Sequence, residues 1–311
     1  MDCHVSVTLY SLFDLYKHDA VLRPATVRHF RFVVGLFSRT VGDSPFTEIS
    51  RDMILKFRDQ VLSRAESSTW NNYLRHLRAI GNFAVRNGYA KDNPFAQIKR
   101  APVSHKRKKT IEEKVINQAF ALLGNAVDTG SKDQLQPRWF WIIVMKVLSS
   151  TGIRRHQLIE LRWKHVDLEQ GVLLLVAEGS KTHREWQIPL MPEVVSELKY
   201  LRKRTLERQC TDDIAHRQVF NVTLFYDRYL GDTMTEEQLS GFFRRLSSAL
   251  GQRITPHRFR HTLATKLLRG PLPDIKAVQN LLGHTDMRMT LEYVEVDLDH
   301  LRALLHARLG G

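Results

Sequence analysis

The chain has 311 residues, more than one hydrophobic core usually supports, so its length predicts two domains. A formal charge of +14 and a pI near 9.9 point to a polyanionic partner, either nucleic acid or an acidic membrane surface. Cys3 and Cys210 are too few and too far apart for a disulfide framework or a zinc site, the first residues lack a signal-peptide pattern, and the apolar run 139–148 is too short to span a bilayer and contains Lys146. The expectation is a soluble cytoplasmic protein, associated with the nucleoid and with no membrane partner.

Residues 1–100 read as a helical domain. Leu9, Leu12, Phe13 and Tyr16 recur at helical spacing, and Pro24 opens a second helix through Val27, Phe30, Val33, Val34 and Phe37. After the break at Gly42 and Pro45, a third helix follows Ser50 with Ile54, Phe57, Val61 and Leu62 inward. Ser67-Ser68-Thr69 offers caps for a fourth, whose inner face carries Trp70, Tyr73, Leu74, Leu77, Ile80 and Phe83. Arg28, Arg31, Arg75 and Arg78 lie between these apolar positions, as a module laid along a DNA backbone requires; an amphipathic bundle with a solvated basic face gives the same pattern. Residues 1–109 hold 19 Lys and Arg against 9 Asp and Glu, so most of the excess charge is here.

Residues 101–110 form a basic linker in which Lys106, Arg107, Lys108 and Lys109 are read as phosphate contacts; a flexible or nuclear-import segment is the competing reading. The second domain, 111–311, begins with helix patterning. A polar surface loop is expected over 124–137 and a buried helix over 139–149. Strands over 172–176 and 185–190 form a hairpin whose long turn carries Lys181. From Pro192 helix patterning returns almost to the end. The predicted fold is therefore mainly α with a small antiparallel β-sheet in the C-terminal domain.

Six residues of this domain carry the chemistry of phosphodiester cleavage. Thr151-Gly152 makes a tight turn and puts Arg154 in the first turn of the next helix, where backbone donors already favour an anion. His257 and Arg260 are three apart on one face of a helix opened by Pro256, with Leu263, Leu267 and Leu268 on its buried side. His261 reads as structural or supporting. Gly283 stops a helix carrying Ile275, Val278 and Leu281, which leaves His284 at a corner rather than in a core. Tyr293 follows. Two guanidinium forks can grip a phosphate, a lysine and two histidines can move protons, and a tyrosine can attack phosphorus. Singly, each of these residues is more simply a surface or packing residue; their order and spacing carry the argument.

Thr-Gly-x-Arg, a hairpin lysine, His-x-x-Arg, and Leu-Gly-His with a tyrosine nine residues on together resemble the tyrosine recombinase (phage integrase) family, over nearly the whole chain. The resemblance implies a helical core-binding domain followed by an α+β catalytic domain. It implies attack by Tyr293 to give a 3′-phosphotyrosyl link, with Arg154 and Arg260 holding the phosphate and Lys181 protonating the departing 5′-oxygen. His257 would orient the tyrosine or take its proton, and His284 would donate to the phosphate. No metal, ATP or other cofactor is implied. The implied partners are double-stranded DNA recombination sites, a homotetramer spanning two sites, and accessory DNA-bending proteins as an open addition. A tail helix beyond Tyr293 would dock on a neighbouring protomer or on its own domain. One position departs from the pattern: Gln157 stands where many relatives carry an acid, which weakens or changes the support given to its neighbours. Two alternatives stay open, a type IB topoisomerase-like relaxing enzyme and a DNA-binding regulator that does not cut.

Overall fold

The computed structural model describes residues 7–104, 109–124, 133–176, 185–209, 211, 213–269 and 274–294. It is mainly helical with one three-stranded antiparallel sheet, and the chain divides into two compact units, residues 1–106 and 107–311, a division that falls inside the basic segment.

The first unit contains α1 (Leu9–Asp19), α2 (Pro24–Val41), α3 (Arg51–Leu62) and α4 (Ser67–Arg86). Thr8 and Ser50 cap α1 and α3 by accepting the backbone N–H of Ser11 and Met53, and Pro24 begins α2 where no N–H is needed. Ser67 lies inside α4 rather than before it, because the cap position is Glu66, which makes no side-chain cap bond. Phe13, Phe37, Phe57, Trp70 and Phe95 fill the core; Phe37 meets Phe57 and Phe95 edge-on, with centroids 5.2 and 5.6 Å apart.

The segment after α4 is tied back onto it by polar contacts. Arg78 donates to the carbonyls of Phe95 (3.0 Å), Ala96 (3.1 Å) and Ile98. Nε and Nη2 of this arginine, expected to contact DNA, thus satisfy backbone acceptors that have no helix to pair with. Asn93 donates to the Arg78 carbonyl and to Asn82, and accepts the backbone N–H of Phe95. Gly81 makes room for it. A Cβ at Gly81 would stand 2.2 Å from the Asn93 Oδ1 and 2.4 Å from its Cγ. A helical Gly→Ala change ordinarily gains about 1 kcal/mol, but overpacking costs about 1–3 kcal/mol and the Asn93 bonds would also go. Gly81→Ala is expected to lower the melting temperature of this unit; a raised value in thermal unfolding would contradict the close fit.

The second unit contains α5 (Glu113–Gly124), α6 (Arg138–Thr151), α7 (Arg155–Glu160), β1 (Val166–Asp167), β2 (Val172–Leu175), β3 (Trp186–Pro189), α8 (Pro192–Gln209), α9 (Glu236–Leu250), α10 (Pro256–Leu268), α11 (Ile275–Leu282) and α12 (Met287–Leu291). α6 is apolar on nearly every side and is its centre, packed by α5, α8 and α10, with Trp141 stacked on Phe242 of α9 at 4.0 Å. The sheet has the order β1-β2-β3, with Leu173 opposite Ile188 and both buried. At two residues, β1 is too short to show strand alternation in sequence.

Two expectations are corrected here. Helix patterning does not continue unbroken from Pro192: residues 213–235 run largely as turns, held by buried amides. Gln218 bonds the carbonyls of Ile159 and Met234 and the N–H of Met234, and Asn221 bonds the carbonyl of Asp232, replacing a helix ladder. Leu267, expected inward, is 42% exposed, because the buried stripe of α10 runs through Phe259, Ala264 and Leu268. The expected tail helix beyond Tyr293 lies outside the described residues, as does most of the polar loop expected over 124–137. Among the described residues no helix is long and apolar enough to cross a membrane.

Candidate active site

Two helix C-termini build the site. α6 ends at Gly152 and α11 at Gly283, each in the left-handed region at φ +60. A helix leaves its last carbonyls without partners and gives that end a partial negative charge, so it favours cationic donors. Arg260 Nη1 donates to the Gly152 carbonyl (2.9 Å) and Nη2 to that of Leu282 (2.6 Å). Arg154 Nη2 donates to the Gly283 carbonyl (3.4 Å), and Trp186, at the start of β3, donates from Nε1 to that of Leu281 (3.2 Å). Neither glycine tolerates a side chain: a Cβ at Gly152 would press on Leu282 and Leu263 at 3.1 and 3.2 Å, and one at Gly283 would enter the Trp186 ring at 2.4 Å.

The two guanidiniums are therefore brought together. Arg154 sits at the N-cap of α7 with extended backbone, not in its first turn, and its backbone N–H is accepted by Gln157 Oε1 (3.1 Å). Gln157 is buried and neutral, so it supports the turn without compensating the Arg154 charge. Burial lowers the pKa of Arg154, opposed by the charge of Tyr293. Burial, and next the like charge of Arg154, push Arg260 down to about 9, while Tyr293 raises it through its charge and a hydrogen bond. The buried Nη1 of Arg154 has no hydrogen-bond partner among the described residues. Two desolvated cations, one with a donor unused among the described residues, are suited to an anion.

Tyr293 lies against this pair. It is buried in a small cluster of its own with Ala264, Leu268, Val278 and Leu282, at the meeting of α10 and α11. Its hydroxyl is 2.9 Å from Nδ1 of His261, and its ring is nearly parallel to that of His284 at 6.0 Å. His284 is buried, not at an open corner: Gln279 Nε2 donates to its carbonyl, and its Nδ1 pairs with the Thr290 hydroxyl at 2.8 Å. His257 is exposed, with its ring 4.1 Å from that of His261. His261, one turn further along α10 than His257, lies at the Tyr293 hydroxyl.

Arg154, Arg260, His284 and Tyr293 share one site, with His257 beside it through His261; Lys181 lies outside the described residues. Sequence reasoning set His261 aside and missed Thr290 and Trp186. His261 has a detectable signal, since it is four residues after His257 and shares its helix face; Thr290 and Trp186 have none. Of the basic positions expected to contact DNA, Arg28, Arg31, Arg75 and Lys109 are exposed, and Lys106, Arg107 and Lys108 lie outside the described residues. Arg28 and Arg31 flank His29 on α2, whose ring lies 6.0 Å from Tyr73 of α4; Arg75 donates to Asn72. Among the described residues no cluster of three or more His, Cys, Asp or Glu is arranged to hold a metal.

Folding with Arg260 charged carries the cost of its burial first and of repulsion by Arg154 next; that cost falls as pH rises past about 9, since the unfolded arginine keeps its proton to a much higher pH. A bound oxyanion relieves the same repulsion at neutral pH. Inorganic phosphate or sulfate is expected to raise the melting temperature by several degrees beyond a chloride control of equal ionic strength, and Arg154→Gln to lose most of that rise. Equal stabilisation of both proteins would contradict the anion site.

Comparison with known proteins gives a consistent set of relatives. Residues 109–300 match the Phage integrase family, and residues 10–101 match the Phage integrase SAM-like domain. The chain is 34% identical to a Pseudomonas syringae protein named as a candidate tyrosine recombinase XerC, over 97% of this chain and 64% of that one. It is 30% identical to tyrosine recombinase XerC of Alcanivorax borkumensis, over 97% of this chain and 94% of the relative. The chain thus spans under two thirds of the length of the Pseudomonas syringae relative. Among solved structures, the fold is shared with the Tn1549 transposon integrase in complex with a circular intermediate DNA (TM-score 0.73, 20% identity, 97% of this chain and 100% of that chain). It is also shared with a lambda integrase tetramer bound to a Holliday junction (TM-score 0.68, 19% identity, 94% and 78%).

Proposed function

This chain belongs to the phage integrase family, the tyrosine recombinases that cleave and rejoin DNA, and we propose that it exchanges strands between double-stranded recombination sites through a 3′-phosphotyrosyl ester on Tyr293 and a Holliday junction. The observation that carries the proposal is the buried phenol beside two guanidiniums, one with an unused donor. No neutral binding role calls for two desolvated like charges around a nucleophile.

In the proposed reaction the scissile phosphate takes up the Arg154 and Arg260 donors through its non-bridging oxygens. Their charge then counters what builds up as Tyr293 Oη bonds to phosphorus, in a site dry enough for that interaction to be strong. Thr290 holds Nδ1 of His284, so His284 would donate to the phosphate through Nε2. Exposed His257 would meet the DNA strand at the mouth of the site. Lys181, which falls between β2 and β3 in the sequence, would protonate the 5′-oxygen as it leaves. The ester conserves the bond energy, so a different 5′-hydroxyl can reseal the strand without ATP or a metal.

The basic residues of the first unit support a duplex partner, with Arg28, Arg31, Arg75 and the segment Lys106 to Lys109 on the phosphate backbone. Assembly as a homotetramer on two sites follows the lambda integrase arrangement. Accessory DNA-bending proteins and association with the nucleoid belong to the same proposal.

Adduct capture tests this reading. The chain incubated with sheared host genomic DNA is expected to leave covalent protein–DNA complexes that survive denaturant, and Tyr293→Phe none. Sequencing the captured DNA gives the site. Adducts that persist in Tyr293→Phe, or none from the unmodified chain, would overturn the proposal. Arg154→Lys replaces a planar fork by a point charge and is expected to slow adduct formation about 100-fold or more; near-normal cleavage would remove Arg154 from its role.

A further inference from the structure

Tyr293 is held between two imidazoles that differ in what they can do. His284 lies parallel to the phenol ring, with its Nδ1 committed to Thr290. His261 points Nδ1 at the phenol oxygen itself, 2.9 Å away, with the ring tilted 42° and the centroids 5.2 Å apart. His261 is 5% exposed, and its other side carries the ring of His257. Among the described residues, charged and titratable groups beside this contact include Arg154 at the start of α7, Arg260 and His257 on α10, and His284 after α11, whose Nδ1 is held by the Thr290 hydroxyl of α12.

We propose that His261 is a catalytic residue, the base that takes the Tyr293 proton. The inference rests on the function proposed above. As the Oη–phosphorus bond forms, the phenolic proton passes to Nδ1 of His261, which becomes an imidazolium. The bond from phosphorus to the 5′-oxygen breaks, and that oxygen takes its proton from the general acid assigned to Lys181. In religation the 5′-hydroxyl attacks phosphorus and His261 returns its proton to the tyrosine oxygen.

A nicked duplex carrying the captured site, on which the released fragment diffuses away, measures adduct formation directly between pH 6 and 9.5. The unmodified chain is expected to give a rate that levels off above the imidazole range. His261→Phe keeps a ring without an acceptor, and His261→Asn can hold the phenol but cannot take its proton. Both are expected to be about 100-fold slower at pH 7 and to climb about tenfold per pH unit towards the ordinary phenol value near 10. A wild-type pH profile in both variants, or full recovery in His261→Asn, would overturn the base role and leave His261 a packing residue. No adduct from the unmodified chain would overturn the proposed function and this role together.

Discussion

Two arginines of like charge are held together out of water, and the ends of two helices make that tenable. Arg154 and Arg260 hang on carbonyls of Gly152, Leu282 and Gly283, which α6 and α11 leave without partners where they turn left-handed. These acceptors offset desolvation but bring no full negative charge, so repulsion between the cations persists. A carboxylate would have been the more stable neighbour and the worse one for binding phosphate. The neutral Gln157 supports the Arg154 backbone while leaving its charge available.

The same turns explain why the remaining groups arrive together. Gly283 lets the Trp186 ring settle on the end of α11, coupling β3 to the carbonyl row that seats the arginines. The chain then passes through His284 and α12 and returns Tyr293 to pack on Val278 and Leu282, one turn from that row. A displacement of α11 would move both guanidiniums, the tryptophan and the nucleophile at once. Packing of α10 on α6 fixes the opposite side, so His261 and Arg260 move with the core. Precision at phosphorus is therefore inherited from helix packing rather than from loops.

Much of this was legible in the sequence. The two glycine stops, the Pro24 and Pro256 helix starts and the apolar periodicity of α2, α4 and α6 are local signals, and each marks an element of the structure. The family-like order of Arg154, His257, Arg260, His284 and Tyr293 named the chemistry. What was not legible depends on contacts between distant segments. Nothing local marks Arg78 as the tie for residues 95–98, or Thr290 as the partner of His284. His261 reads as structural or supporting in the sequence, and only the return of Tyr293 onto α10 brings the phenol to its Nδ1; Arg260 and His261 are both buried at the site. The turns over 213–235 escaped because their order comes from Gln218 and Asn221 reaching across the unit.

The account depends most on which atom becomes bonded to DNA, and that can be read directly. Captured adduct, trimmed with nuclease and digested with protease, yields a peptide–nucleotide whose fragmentation by mass spectrometry locates the linkage. A nucleotide joined through its 3′-phosphate to Tyr293 is the predicted product. A nucleotide on any other residue, or one attached through a 5′-phosphate, would contradict the arrangement of phenol and paired guanidiniums as the centre of the chemistry.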